Sequence, residues 1–203
     1  MKVAHPIENK VLARIRAHRG GWVFTPADFL DLGSRRAVDT ALFRLTKAGT
    51  IRRVAHGVYD VPRHHPIVGP TAPSTDMVAK ALAGKAGTRL QPTGAYAANL
   101  LGLSDQVPAK VVFLTDGRTK HVRLGKLDIA LKKTSPRNMA TAGKISGLVI
   151  QALRYLGKTH VNDNTVKRLD RRLSPRDRRQ LLKDVAYAPA WIADIMRRLG
   201  VQS

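Results

Sequence analysis

The most regular hydrophobic pattern lies between residues 35 and 48, where apolar side chains recur at every third or fourth position. These apolar residues are Ala37, Val38, Ala41, Leu42, Leu45 and Ala48. The spacing predicts a helix that packs one stripe of side chains against a hydrophobic core. Ser34 directly precedes this segment as a helix-capping residue, and Gly49 follows it as a stop signal.

The segments on both sides of this helix have recognisable patterns of their own. Residues 6–18 form an amphipathic helical stripe, and Thr25 followed by Pro26 is typical of the start of a second helix. Residues 50–54 and 58–61 are two β-like runs joined by a short turn. The order helix, turn, helix and hairpin predicts a winged helix-turn-helix, a module that places its second helix in the major groove of DNA.

The remaining two-thirds of the chain predicts a mixed second domain. A proline-containing stretch over residues 63–74 reads as an extended linker. Beyond it we expect three strands, at 110–115, 120–124 and 126–132, and six helices, at 75–85, 93–102, 141–157, 165–173, 175–186 and 189–199. The predicted fold class is therefore α+β. A winged helix covers residues 1–66, a linker covers 67–71, and a mixed α/β domain with a helical C-terminal end covers 72–203.

The charge balance points to an anionic partner. The chain carries 36 lysines and arginines against 14 acidic residues, which gives a net charge of +22. Such an excess repels itself unless it faces negative charge, and nucleic acid is the leading candidate. A membrane surface and a ribosomal setting are the alternatives. Because no apolar run approaches the roughly 20 residues that span a bilayer, and no signal peptide is recognisable, we expect a basic cytoplasmic protein without a membrane partner.

The polar face of the helix over residues 35–48 supplies candidate DNA-binding residues. Arg35, Arg36 and Thr40 lie in its N-terminal half, the part that usually reaches base edges. Arginine can form two hydrogen bonds with guanine, whereas Arg44 and Lys47, farther along, suit phosphates. The hairpin adds three candidates for the DNA backbone or minor groove: Arg52, Arg53 and His56. A solvated helix face or a protein contact would also explain such a charge pattern.

A second group of cations occurs in the C-terminal helices. Its members are Lys167, Arg168, Arg171, Arg172, Arg176, Arg178 and Arg179. We predict that this secondary basic surface contacts phosphates and adds salt-dependent affinity. The alternatives are a solvated helix pair with weak Asp–Arg pairs, or a surface that meets an acidic partner protein.

Signals for catalysis or metal binding are weak. There is no cysteine, so thiolate metal sites and cysteine nucleophiles are excluded. His64 and His65 are adjacent, but no acidic residue stands near them at a ligand-like spacing. Asp116 and Asp128 flank a strand and suggest a nuclease as an alternative, although the residues just before Lys132 are apolar rather than acidic. We therefore expect no enzyme activity, no cofactor and no metal site.

The end of the predicted hairpin reads HGVYDVP over residues 56–62, and a second motif reads PTGAYAANLLGLS over residues 92–104. Together these two motifs resemble a known family, the antitoxins of AbiEi-type, or type IV, toxin–antitoxin systems. As in the family, Val107 and Pro108 and then a strand through residues 113–115 follow the second motif. The resemblance covers about residues 5–155.

The resemblance implies a winged-helix DNA-binding domain followed by an AbiEi-like antitoxin domain. Family members repress their own operon by binding inverted repeats in double-stranded promoter DNA, and they neutralise a nucleotidyltransferase-like toxin, which they need not contact directly. The family's DNA-reading elements fall on Arg35, Arg36, Thr40, Arg44, Arg52 and Arg53. The expected function is thus an antitoxin and autorepressor. The alternatives are a non-specific DNA- or RNA-binding protein and an Asp-dependent nuclease.

Overall fold

The computed structural model describes residues 6–18, 21–67, 69–84 and 87–201. Helices and small β-sheets are both present, so the prediction of an α+β protein is confirmed. The described residues form two compact units. The first contains the described residues up to 84 together with 122–125, and the second contains 87–121 and 126–201.

Up to residue 84, the described residues of the first unit form three α-helices, one short 3-10 helix and five strands. The α-helices are α1 (Pro6–Ala17), α2 (Arg35–Lys47) and α3 (Thr75–Ala83), and a short 3-10 helix covers Pro26–Phe29. The strands are β1 (Val23–Phe24), β2 (Arg52–Ala55), β3 (Val58–Asp60), β4 (Arg63–His65) and β5 (Gly69–Thr71).

A three-stranded antiparallel sheet in the order β1-β3-β2 closes the first unit's core. Strand β1 pairs with β3 through Val23 with Asp60 and Phe24 with Tyr59. The core is formed by side chains from α1, α2, the residues between them and one residue after α2, which are Val11, Ile15, Phe24, Phe29, Val38, Ala41, Leu42, Leu45 and Ile51. This packing fixes which face of α2 is buried and which face meets solvent.

The ends of α2 follow from its sequence. The Ser34 hydroxyl accepts a hydrogen bond from the Ala37 amide at 3.3 Å, which satisfies one of the free N–H groups of the first turn. At the other end Gly49 adopts a φ of +70°, the left-handed conformation that glycine accommodates without strain. Ala48, predicted within the apolar stripe, is exposed because the helix ends at Lys47.

The helix predicted to start at Thr25 is shorter than expected. It is a 3-10 helix of four residues, Pro26–Phe29, followed by turns rather than further helix. Its start is stabilised by the Asp28 carboxylate, which accepts hydrogen bonds from the Thr25 amide at 2.7 Å and the Thr25 hydroxyl at 3.0 Å. Phe29 is fully buried, so this short element still contributes to the core.

The proline-containing stretch predicted as a linker contains a small antiparallel pair, β4 with β5. The first compact unit continues beyond it through α3, whose Val78, Ala79 and Leu82 are buried. The compact unit thus extends past the predicted linker at residues 67–71. Burial of this apolar face explains the extension, because α3 contributes it to the first unit rather than to the second.

The second unit combines six α-helices with a four-stranded sheet among its described residues, except that residues 122–124 of the sheet belong to the first unit. The strands are β6 (Leu90–Thr93), β7 (Lys110–Thr115), β8 (Lys120–Leu124) and β9 (Leu127–Lys133). The helices are α4 (Gly94–Leu100), α5 (Pro136–Met139), α6 (Ile145–Leu156), α7 (Asp163–Asp170), α8 (Pro175–Asp184) and α9 (Ala190–Val201), and 3-10 turns cover Lys158–His160 and Val185–Tyr187.

The sheet has the order β6-β7-β9-β8, with β6 antiparallel and β9 parallel to β7. Strand β6 did not emerge from the hydrophobic pattern. It is a short edge strand that contains Pro92, a residue that lacks the backbone donor and weakens a strand signal.

Five helices of the second unit, α4 and α6 to α9, share one hydrophobic core that includes part of the second sequence motif. Ala97, Ala98 and Leu101 are buried in it. Leu100 of the same motif is 40% exposed, whereas Leu101 is buried. The helical period explains the difference, because Leu100 lies about 100° around the helix from Leu101 and therefore faces outward.

Candidate nucleic-acid interface

The two faces of α2 differ sharply in burial. Val38, Ala41, Leu42 and Leu45 are buried, as the periodicity predicts. The residues of the opposite face are exposed, and they are Arg35, Arg36, Asp39, Thr40, Phe43, Arg44 and Lys47. We call this set the outer face of α2. The three arginines, the lysine and the threonine of this face are the α2 residues that were predicted from the sequence to contact DNA.

Two cations of the outer face are available for a ligand. Among the described residues, Arg36 and Lys47 have no acidic partner within ion-pair distance. The Thr40 hydroxyl donates to the Arg36 carbonyl oxygen at 2.9 Å, which leaves the lone pairs of that hydroxyl oxygen free to accept.

Two other arginines of the outer face are paired with acids. The Arg35 Nε donates to both carboxylate oxygens of Asp39, at 2.9 and 3.0 Å, and both side chains are largely exposed. Arg44 Nη1 lies 3.7 Å from Glu8 Oε2, which is too long for a hydrogen bond. The exposed Arg35–Asp39 pair contributes about 0–1 kcal/mol, so an anionic ligand can displace Asp39 at little cost. Glu8 is only 25% exposed and its Oε2 is buried without a hydrogen-bond partner, so Arg44 offsets the charge of a partly buried acid.

Arg52 has a structural partner set. Its guanidinium donates to both carboxylate oxygens of Asp60, at 2.6 and 3.0 Å, and to the Thr71 carbonyl oxygen at 2.8 Å. Only 3% of the Asp60 side chain is exposed. The hydrogen bond to Asp60 raises the pKa of Arg52 above its ordinary value. The DNA-binding role of Arg52 stays a prediction, but its Nε and Nη2 already donate to Asp60 and Thr71 within the first unit.

The β2–β3 hairpin carries the other two predicted residues, Arg53 in strand β2 and His56 in the turn. Arg53 and His56 are both exposed, and Arg53 Nη2 lies 3.0 Å from His56 Nδ1. Gly57 follows with a φ of +68°, so the tight turn depends on a residue without a Cβ. The pair forms a polar tip on the hairpin, with the guanidinium of Arg53 outside any ion pair of the described residues.

The secondary basic surface separates into exposed and engaged members. The exposed cations are Lys167, Arg171, Arg172, Arg176 and Arg179. Arg168 is partly buried and donates to the Gly102 carbonyl oxygen. Its Nη2 also forms an ion pair with Asp105, at 3.8 Å from Oδ1. Arg172 packs beside Gly102, where an added Cβ would collide with its guanidinium. These contacts anchor α7 to the loop after α4.

Arg178 differs most from its prediction as a phosphate contact. Its side chain is only 16% exposed. Nη1 donates to Asp170 Oδ1 and to the Leu199 carbonyl oxygen, both at 2.7 Å, and Nη2 donates to the Asp170 carbonyl oxygen at 2.9 Å. Arg178 therefore connects α8 to the C-terminal ends of α7 and α9, while its neighbour Arg179 is exposed and has no such partners among the described residues.

Asp116 and Asp128 do not form a pair of catalytic carboxylates. In the parallel register of β7 and β9, Asp128 lies opposite Lys110, whereas Asp116 follows the far end of β7. Six residues of strand separate the two positions, about 20 Å at 3.3 Å per residue. Arg89 holds Asp116 and, through hydrogen bonds from its side chain and amide, lowers the pKa of that carboxyl.

A buried carboxylate in the second unit was not anticipated from sequence. Asp184, only 3% exposed, accepts hydrogen bonds from the Ser146 hydroxyl, from Gln180 Nε2 at 2.7 Å and from Lys144 Nζ at 3.2 Å. Burial alone raises the pKa of Asp184, but the three donors outweigh it and hold the pKa below its ordinary value. Asp184 is the last residue of α8, a helix rich in charged residues, and the sequence gives no signal that this acid is buried.

The described residues contain no cluster of three or more metal-ligating side chains, and the side chains of His64 and His65 lie outside the described residues. Within the same ranges, no helix has both the length and the hydrophobicity that crossing a bilayer requires.

The structure thus defines a mixed α+β protein whose exposed faces are strongly basic. A family model described as "Family of unknown function (DUF6088)" matches residues 10–181, which is most of the chain, and the protein belongs to this family. No curated protein matches the sequence.

Proposed function

We propose that the first unit is a winged helix-turn-helix that binds double-stranded promoter DNA, with α2 as its recognition helix. The observation that supports this most directly is the outer face of α2. It presents Arg36, Thr40 and Lys47 to solvent while the opposite stripe is locked into the core. A helix held in this way can enter the major groove without loss of its packing.

The order of elements supports the same proposal. Helix α1, strand β1, the 3-10 turn, helix α2 and the β2–β3 hairpin follow one another, and the strands pair as β1-β3-β2. In a winged helix-turn-helix the hairpin beside the recognition helix contacts the DNA backbone or minor groove. Arg53 in β2 and His56 in the hairpin turn have the exposure that this role requires.

The proposed contacts divide into base reading and phosphate binding. Arg36 reads a base edge, because its unpaired guanidinium lies in the N-terminal half of α2 and can form two hydrogen bonds with guanine. Lys47 and Arg53 bind phosphates, and Arg35 joins them by exchanging its weak, exposed acid partner for DNA. Arg44, which is 45% exposed, also binds a phosphate while it stays close to Glu8. We assign Arg52 to support of the hairpin rather than to DNA.

The test is a titration of purified protein onto the DNA upstream of its own gene and onto a scrambled sequence of the same composition, at two salt concentrations. We expect tighter binding to the upstream DNA that persists at the higher salt. Arg36→Ala should reduce this preference by about 1–3 kcal/mol, whereas Arg53→Ala should weaken both DNAs alike and lower the salt slope by about one. Equal binding of wild-type protein to both DNAs would refute sequence reading and favour a non-specific nucleic-acid-binding protein.

We further propose that the protein is an antitoxin of the AbiEi type, which represses its operon from inverted repeats and neutralises a nucleotidyltransferase-like toxin encoded beside it. This part rests on the two sequence motifs at residues 56–62 and 92–104. Such a role needs no catalysis and would place the protein in the cytoplasm. Co-expression with the neighbouring gene tests it, since wild-type protein should restore growth that this gene arrests. Failure of rescue at matched expression would refute the antitoxin role and leave DNA binding untouched.

A further inference from the structure

Phe43 is a large aromatic side chain that the hydrophobic core does not use. It is 67% exposed in the middle of the outer face of α2. The buried stripe of the same helix is complete without it, because Val38, Ala41, Leu42 and Leu45 fill the core positions. A single exposed apolar residue is common on protein surfaces, so the position of Phe43 matters more than its exposure.

The surroundings of Phe43 are polar. It lines one shallow groove with four other residues, which are Arg35, Arg36, Asp39 and Thr40. The apolar area of this groove is therefore essentially one side chain, far smaller than the patches of several hundred Å² that mark protein interfaces. The two arginines instead suit a polyanionic ligand that also offers an isolated apolar group.

Helical geometry aligns Phe43 with the proposed base-reading residue. Arg36, Thr40, Phe43 and Lys47 are spaced by four, three and four residues, so they lie on one face of α2. Phe43 is seven residues beyond Arg36, about 10 Å along the helix axis at 1.5 Å per residue. With base pairs stacked about 3.4 Å apart, this corresponds to roughly three steps along the groove.

The major groove contains one apolar group for such a side chain to meet. Thymine presents its C5-methyl there, and contact between phenylalanine and this methyl is a recognised form of base readout. Resting on the proposed function above, we propose that Phe43 is a specificity-determining residue that packs against a thymine methyl about three base pairs from the base read by Arg36.

The experiment removes the methyl without changing base pairing. The upstream DNA is amplified with deoxyuridine triphosphate in place of thymidine triphosphate, and binding to both versions is measured for wild-type protein and for Phe43→Ala and Phe43→Leu. Wild-type protein should bind uracil DNA about fourfold more weakly for each methyl contacted. Phe43→Ala should bind thymine and uracil DNA equally, and Phe43→Leu should keep part of the difference because it retains an apolar side chain.

Two controls separate this contact from general effects. Val107, which is 88% exposed in the second unit, provides a matched truncation in Val107→Ala, and this variant should behave as wild type. Scrambled DNA in thymine and uracil forms reports any change in DNA stiffness or shape. Arg36→Ala should bind upstream DNA more weakly while keeping the thymine-to-uracil ratio.

The proposal is overturned if wild-type protein prefers upstream DNA but binds its thymine and uracil forms equally, or if Phe43→Ala retains the full ratio. A change in sedimentation of Phe43→Ala with an unaltered ratio would also overturn it and assign Phe43 to a protein contact. These outcomes differ from failure of the proposed function, in which wild-type protein shows no preference for upstream over scrambled DNA at all.

Discussion

Arg178 and Arg179 are adjacent arginines for which the structure predicts opposite roles. Arg178→Ala removes three hydrogen bonds, one of them to the Asp170 carboxylate and two to carbonyl oxygens at helix ends. Hydrogen bonds that involve a charged group contribute about 1.5–3 kcal/mol each but are not additive, so we expect a loss of about 3 kcal/mol in the free energy of unfolding of the second unit. Arg179→Ala removes the same charge from an exposed side chain and should change stability by less than about 0.5 kcal/mol.

The two tryptophans make this measurement specific to one unit. Trp22 belongs to the first unit and Trp191 packs against the core of the second, so a Trp22→Phe background leaves Trp191 as the reporter. With a urea m-value of about 2 kcal/mol per molar, Arg178→Ala should lower the unfolding midpoint by about 1.5 M. Arg179→Ala should leave the midpoint within about 0.25 M of wild type by the same conversion.

DNA binding supplies the opposite readout. If the secondary basic surface contacts phosphates, Arg179→Ala lowers the salt slope of DNA affinity by about one. Arg178→Ala, measured where the protein is still folded, should leave the slope unchanged. Equal unfolding midpoints for the two variants, or a reduced salt slope in Arg178→Ala without a loss of stability, would refute the division of roles.

Three further substitutions test other parts of the structure. Arg52→Ala should destabilise the first unit by about 2 kcal/mol in urea unfolding, because it leaves the buried Asp60 carboxylate without its partner, and an unchanged midpoint would contradict this pairing. Asp184→Asn should reduce the decrease in the free energy of unfolding that occurs as the pH is lowered. Because the folded-state pKa of Asp184 lies below the ordinary value of 3.8, its contribution is present above about pH 4 and is lost as the pH falls through the folded pKa, so midpoints at pH 3 and pH 6 should differ less in the variant than in wild type. Gly147→Ala should cost about 2–3 kcal/mol, since a Cβ there would collide with the Thr141 carbonyl oxygen, and wild-type stability of this variant would refute the close approach.

Much of the secondary structure could be predicted from periodicity, and the failures have identifiable causes. Helix α2 and the β7 and β9 strands carry strong periodic or apolar signals, and they are present close to the predicted positions. The 3-10 turn at Pro26–Phe29 has the capping residues of a longer helix, and no local signal sets where such a turn ends. The extent of the first unit depends on where the apolar face of α3 is buried, which is decided by tertiary packing.

The roles of individual arginines were harder to predict than the elements that carry them. The partners of Arg52 include Thr71, and those of Arg178 include Leu199, so each pairing joins residues about twenty positions apart in the chain. Sequence shows the cation and not the distant carbonyl. The proposed role of Phe43 depends on its exposure, which follows from how α2 packs against the core.

These observations bear on how the charge of the whole chain should be interpreted. The net charge of +22 does not distinguish an arginine that binds a phosphate from one that joins two helices. Alanine substitutions do not distinguish the structural role from the DNA-binding role, because unfolding of the protein and loss of a contact both abolish DNA binding. Lysine substitutions separate them, since lysine keeps the positive charge but cannot donate several hydrogen bonds in one plane. Lysine at position 53 should therefore preserve phosphate binding, whereas lysine at position 52 or 178 should retain the charge and still lose much of the stability that the planar guanidinium provides.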